Sequence, residues 1–368
     1  MGPVIKNNPI SEGMIGKSVE ELPTPVIVAD YDDLVSNLSK LDAYLDRKNC
    51  NLRPHFKSHK CATLAKLQME YPNTVGITCA KLSEAEQLVQ AGVKDVLIAN
   101  QVIGLDKTKR IALMNRNANV SVAVDSITGI EQLSIAAQDL GVEIGVLIEV
   151  DIGMNRGGVQ AGEPVLELAK TISAISGLRL DGLQSYEGHI VTLPNFKERE
   201  KRVKEDMRPL LKTRELLEQN GFTVFLSSGG TGTYDITGNM EGIDELQCGS
   251  YALMDSAYKM IRPEFLNARY ILTTVISKRG NVISTDVGLK GMGAEYGVPT
   301  IIDYPEAENL YVAEEHSVFN NMEINIGDKI RIIPPHGCTT NNFYSKMWIS
   351  RNNLIEDVWP IEGRGCLE

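Results

Sequence analysis

Between residues 24 and 255 one local theme recurs: a short run of β-branched and apolar residues closing on polar residues or glycine, then a longer segment with helical apolar spacing. That alternation marks βα units, in which strands pair in parallel and each crossover is a helix. After a first extended run, PVIVAD, the strand candidates are NLRPHFK, VGITCAK, DVLIAN, VSVAVD, EIGVLIEVD, LDGLQSYEGH, TVFLSSGG and ELQCGSY. Helix candidates between them include SEAEQLVQAG, LDKTKRIALMNRN, ITGIEQLSIAAQDLG and EPVLELAKTISAIS. Several end at glycine, the residue favoured in a left-handed helix cap. Eight such strands, each buried enough to read as a continuous apolar run, fit a closed (β/α)8 TIM-type barrel better than an open sheet.

After about Asp255 the rhythm changes. ARYILTTVISKRG, NVISTDVG, NLYVAEEHSVFN, GDKIRIIPP and SKMWISRNNLIEDVWPIEG read as strands joined by tight Asn/Gly turns, with no helix-length pattern between them. The expected organisation is an α/β barrel over 24–255 and an antiparallel β domain over 256–368, the latter joined by residues 1–23. A chain of 368 residues accommodates both, since a single α/β barrel uses about 250.

Composition excludes several partners. With 48 Asp+Glu against 37 Lys+Arg, the net charge of −11 gives no footprint for a phosphate backbone, so nucleic acid is not expected. The opening MGPVIKNNPISEGMIGK lacks the apolar core of a secretory signal, and no stretch approaches the roughly 18 apolar residues of a membrane span. A cytoplasmic location without membrane attachment is expected. Cys50, Cys61, Cys79, Cys248, Cys338 and Cys366 form no CxxC pair, which implies reduced thiols and not a disulfide framework.

In a βα barrel the chemistry sits where strands end. The first barrel strand ends in Arg53-Pro54-His55-Phe56-Lys57-Ser58-His59-Lys60. A lysine there, partly desolvated beside other cationic groups, has a lowered pKa and an amine available for a Schiff base; a solvated strand end is the alternative. Asp151-Ile152-Gly153-Met154-Asn155-Arg156-Gly157-Gly158 closes another apolar run, and there Arg156 is placed to hold an anionic oxygen unless the segment is an ordinary turn. Ser227-Ser228-Gly229-Gly230-Thr231-Gly232-Thr233-Tyr234 opens a strand end into a glycine-rich loop, whose backbone N–H groups and hydroxyls suit a phosphate. In the β domain, His336 and Cys338 of Pro334-Pro335-His336-Gly337-Cys338 stand two apart on an expected extended segment and so share a face, where they could bind Zn²⁺ with open positions; a buried thiol beside a turn histidine is the alternative. Glu314-Glu315-His316 reads as a solvated strand end.

A reactive lysine, an arginine and a phosphate loop at one barrel mouth describe a pyridoxal phosphate (PLP) site. From LPTPVIVAD to WPIEGRG the sequence resembles the fold-type III PLP enzymes with an alanine-racemase-like barrel, and within them the metal-dependent branch of D-threonine aldolases and D-serine dehydratases. The resemblance implies that Lys57 of RPHFKSHK carries the cofactor, with His55 among the cofactor-binding residues. It places Arg156 of DIGMNRGG near the phenolic oxygen and Tyr186 of GLQSYEGH on the cofactor face. SSGGTGTY and LQCGSYALMD resemble the phosphate-binding segments and implicate Gly229, Gly230, Thr231, Gly249, Ser250 and Tyr251. PPHGC resembles the metal pair, His336 and Cys338. That pair follows the dehydratases' His-x-Cys and not the aldolases' His-x-Asp, whereas GGTGTY and GSYALMD are closer to the aldolases.

The resemblance implies a lyase on small D-3-hydroxy amino acids, a divalent metal (zinc or manganese) and a homodimer. Retro-aldol cleavage to glycine and an aldehyde is the first expectation, with Lys57, His59 as a candidate base, and Arg156 as its catalytic residues. Elimination to a 2-oxo acid and ammonia is the second. A racemase would use the same barrel without a metal, and a non-catalytic PLP carrier would stop where the barrel stops.

Overall fold

The computed structural model describes residues 13–368. Two compact units emerge, each assembled from separate stretches of chain. The first comprises Ser39–Lys57, Leu64–Gly249 and Gly365–Glu368; the second holds residues 13–38, Ser58–Thr63 and Ser250–Arg364.

The chain enters through β1 (Val26–Asp30), which belongs to the second unit. The first unit is built on β2 (Asn51–Leu52), β3 (Ile77–Cys79), β4 (Asp95–Gln101), β5 (Asn119–Val124), β6 (Ile144–Asp151) with the short β7 (Val159–Gln160) beside it, β8 (Leu178–Gln184), β9 (Phe225–Ser228) and β10 (Glu245–Leu246). Its ladder runs β2-β10-β9-β8-β6-β5-β4-β3, all parallel. Bridges Leu52–Thr74 and His55–Thr78 close the ring. These are the expected barrel strands. Ile144, Val146, Leu147 and Ile148 on β6 are fully buried, as a strand covered on both faces requires. Strand β2 is short because Pro54 has no N–H to donate, although its carbonyl still accepts from Thr78 N–H at 2.9 Å.

The crossover helices start and stop where their caps dictate. Ile127–Leu140 begins at Ser126, whose hydroxyl accepts from Gly129 N–H at 3.3 Å, and ends at Gly141 with φ 63°. Its buried face comprises Ile130, Leu133, Ala136 and Ala137, an i, i+3, i+6, i+7 stripe.

The second unit is a mostly antiparallel sheet of β1, β11 (Arg269–Arg279), β12 (Val282–Thr285), β13 (Thr300–Ile301), β14 (Glu308–Val312), β15 (Ser317–Asn320), β16 (Lys329–Ile333), β17 (Lys346–Arg351) and β18 (Leu354–Pro360). Strand β1 lies inside it, antiparallel to β11 and parallel to β17. Met14, Val19, Leu22, Val28, Tyr270, Leu272, Ile333, Trp348 and Ile355 form one of its core clusters.

The unit boundaries therefore differ from those at 24 and 255. The run containing β1 is apolar enough for a barrel strand, but its hydrogen-bond partners lie in the other sheet. At the far end, Glu368 returns to the barrel unit, where its carbonyl accepts from Ser83 N–H at 3.1 Å and its carboxylate pairs with Arg110 at 2.6 Å. Residues 13–23 pack into the second unit, with Gly16 N–H donating to Ile355 O at 2.8 Å. The first twelve residues of the expected N-terminal contribution, 1–12, lie outside the described residues. Among the described residues no helix is long and apolar enough to cross a membrane, and no cysteine is in a disulfide.

Candidate active site

Past β2 the chain turns through a 3-10 helix, Phe56–Ser58, that carries Lys57. His55 N–H is tied to Cys248 O at 3.0 Å, and Lys57 N–H donates to His55 Nδ1 at 3.4 Å. Lys57 Nζ lies 5.4 Å from the centre of the Tyr186 ring, and Arg156 Cζ lies 5.7 Å from the same ring. One aromatic ring thus serves two cations from different loops, each attracted by the ring quadrupole. Arg156 also sits 3.9 Å from Glu149, the buried carboxylate near the end of β6 that accepts from Gln101. Burial raises the Glu149 pKa, while the Gln101 hydrogen bond and the Arg156 charge oppose that rise. Lys57, Arg156 and Tyr186, selected from three separate sequence segments, therefore meet in the barrel unit.

The glycine-rich segment follows β9. Gly229 N–H donates to Glu187 Oε2 and Gly230 N–H to Thr233 Oγ1, both at 3.3 Å. Both N–H groups are already bonded, one to Glu187 and one within the loop, contrary to the expectation that they face a phosphate. Thr231 is buried, at 2% exposure. Gly232 is demanded by packing, since a Cβ there would stand 1.8 Å from Val191 O. The second phosphate segment is divided: Gly249 closes a stretch of the barrel unit, while Ser250 and Tyr251 open one in the other unit. There Ser250 O accepts from Met254 N–H at 2.8 Å, and Tyr251 meets Phe265 edge-on at 6.1 Å.

His336 and Cys338 occupy the second unit. The segment is not extended as expected: His336 is the N-cap of a helix, Gly337–Phe343, so Cys338 lies in its first turn. A side-chain hydrogen bond nevertheless joins the two residues. Burial alone would lower the His336 pKa, but Cys338 and Glu295 together raise it. His336 Nδ1 is bonded to a Glu295 carboxylate oxygen, and Thr339 Oγ1 bonds both groups. Glu295 is 41 residues upstream and carried no sequence signal.

Gly337 has a steric reason to be glycine. A Cβ there would stand 2.5 Å from Nη2 and 2.7 Å from Nη1 of the fully buried Arg269. Arg269 Nη1 donates to Gly337 O at 3.0 Å, Gly337 N–H donates to Asp255 Oδ2 at 2.9 Å, and Lys60 Nζ donates to Cys338 O at 2.7 Å. The backbone of the pair is thus held at successive peptide groups. Among the described residues no group of three or more His, Cys, Asp or Glu is arranged to hold a metal ion.

Two other candidate segments remain. His59 is buried, and its Nδ1 accepts from Cys61 N–H at 3.2 Å. That bond occupies the lone pair of Nδ1. Glu314 and Glu315 pair with exposed Lys290, and His316 Nδ1 is bonded to Thr285 O at 3.1 Å, which makes that cluster a solvated strand end.

Residues 29–257 match the family described as "Alanine racemase, N-terminal domain", and residues 268–350 match "Putative serine dehydratase domain". The chain belongs to the alanine racemase N-terminal domain family. Within it, a 3-hydroxy-D-aspartate aldolase of Paracoccus denitrificans is 34% identical over 95% of this chain and 94% of its own length. The crystal structure of D-threonine aldolase from Filomicrobium marinum superposes with a TM-score of 0.94, at 33% identity, covering 96% of this chain and 99% of that one. A D-threo-3-hydroxyaspartate dehydratase of Delftia is more distant, at 25% identity over 87% of this chain and 92% of its own. Family members of this kind are lyases, and the alanine-racemase-like barrel is the fold-type III PLP architecture.

Proposed function

We propose that this chain is a PLP- and divalent-metal-dependent lyase that cleaves D-3-hydroxy amino acids to glycine and an aldehyde. The full-length similarity to aldolases, closer than that to the dehydratase, carries this reading. The residues fit both groups. An amine and a guanidinium beside one aromatic ring suit a covalently held anionic ring, and an imidazole hydrogen-bonded to a thiol suits a cation that replaces the shared proton. When bound, PLP supplies an electron sink at the substrate Cα and the metal supplies a Lewis acid for the β-hydroxyl.

The chain's own residues then divide the work. The Lys57 amine would hold the cofactor, and the same amine would move a proton at the substrate Cα. Arg156 would balance charge at the phenolic oxygen, with Glu149 3.9 Å from its guanidinium. Tyr186 fixes the plane of the ring, while Thr231, Gly249, Ser250 and Tyr251 serve the phosphate. Gly229 and Gly230 act through backbone shape. Glu295 accepts the proton of His336 Nδ1, so that Nε2 presents a lone pair to the metal. Thiolate ligation by Cys338 favours zinc, and manganese is the alternative. The D preference follows the relatives. On this reading the protein is a cytoplasmic homodimer.

Elimination to a 2-oxo acid and ammonia is the second reading, favoured by one observation: Cys338 stands where the resembling aldolases carry Asp. Borohydride reduction and peptide mapping test the cofactor assignment. The pyridoxyl group is expected on Lys57, and its appearance on Lys60 would refute the assignment.

A further inference from the structure

Glu187 is fully buried and follows Tyr186 directly in the chain. Removing a carboxylate from water costs several kcal/mol unless other groups replace its solvation. A cation is the common replacement. Here, among the described residues, the replacements are all neutral donors from one segment. Thr233 Oγ1 and Thr237 Oγ1 each donate to Oε1 at 2.7 Å, and Ser228 Oγ and Gly229 N–H each donate to Oε2 at 3.3 Å. The donors span the end of β9, the glycine-rich loop and the short helix Tyr234–Thr237.

We infer that Glu187 is a positioning residue for the cofactor's phosphate: its carboxylate fastens the segment 228–237 into the shape that receives the 5′-phosphate. The inference rests on the PLP reading above and adds a residue that the reading does not contain. Gly230 N–H donates to Thr233 Oγ1, which in turn donates to Glu187, so the carboxylate sets the direction of both bonds. A backbone N–H cannot turn round to accept as a hydroxyl can. An amide at 187 would therefore either set its NH₂ against Gly229 N–H or face that NH₂ toward the two threonine hydroxyls.

The test is a comparison of PLP with pyridoxal, which has the same ring and aldehyde but no phosphate. Full-length apoprotein is titrated with each, in wild type and Glu187→Gln, following the long-wavelength absorption. Loss of one charged hydrogen-bond acceptor should weaken PLP binding about tenfold or more while pyridoxal changes by less than about twofold. Thr237→Val should shift the same ratio in the same direction, and Thr237→Ser, which keeps the hydroxyl, should restore it. These two variants keep the idea testable even if Glu187→Gln folds poorly. Unchanged affinities, or parallel losses for PLP and pyridoxal, would overturn the role of Glu187 while leaving the cofactor reading intact. A wild-type protein that binds neither compound would overturn both.

Discussion

The side-chain amide of Asn341 donates to the carbonyl oxygen of Ser58 at 2.8 Å, away from water, and Ser58 is the residue that follows Lys57 in the chain. The helix that begins at the His336–Cys338 pair is therefore fastened to the backbone one peptide beyond the proposed cofactor lysine. Asn341 Oδ1 in turn accepts from Arg269 Nη1 at 3.3 Å. Replacing Asn341 by Ala strands Ser58 O and removes one acceptor from Arg269. Chemical denaturation should show a loss of about 1–3 kcal/mol, the cost of leaving such buried groups unpaired. A change of no more than about a few tenths of a kcal/mol would mean the bond contributes nothing.

Gly337→Ala should be worse than its single methyl suggests. The added Cβ meets a guanidinium that is buried and held by Gly337 O, Asn341 Oδ1 and Met254 O, so it cannot swing aside. We expect about 1–3 kcal/mol of destabilisation from overpacking, together with weaker metal retention. Wild-type stability and metal content in this variant would contradict the steric account.

Glu295→Gln tests how the metal pair is oriented. Loss of the carboxylate that accepts from His336 Nδ1 should lower metal affinity by about ten- to a hundredfold, measured by competition with a chromophoric chelator, while PLP absorption stays at its wild-type level. Equal affinities in the two proteins would remove Glu295 from the account.

These residues also mark how far the sequence alone could be read. The barrel strands, Lys57, Arg156 and Tyr186 were legible because strand ends follow a periodic pattern and carry unusual polar runs. Gly337 was legible only as a spacer, since the reason for it is Arg269, on a distant strand. Glu295 and Glu187 look like any exposed acidic residue until the fold brings Nδ1 of His336 to one and the hydroxyls of Thr233 and Thr237 to the other. Strand β1 reads as part of the barrel segment because a short apolar run does not specify its partner. The extended reading of His336–Cys338 failed for a related reason: a helix of seven residues, Gly337–Phe343, has too few apolar repeats to declare itself.

Thiol chemistry gives an independent view of the metal pair. Iodoacetamide at pH 8 should label Cys338, which is partly exposed, in metal-free protein, and added zinc should protect it. Cys50 is the internal control. Burial, with the charges of Asp244 and Glu245, pushes its pKa up to about 12, so almost no thiolate exists at that pH and only denatured protein should react. Zinc-independent labelling of Cys338 would argue against its being a ligand.

The central claim is that the bond broken is Cα–Cβ. Incubation of the metal- and PLP-loaded protein with D-threonine, D-3-hydroxyaspartate and D-serine, scoring glycine plus aldehyde against 2-oxo acid plus ammonia, addresses it directly. The account predicts glycine formed in step with aldehyde, lost on chelation and in His336→Ala. Stoichiometric 2-oxo acid and ammonia without glycine would contradict it and establish elimination instead.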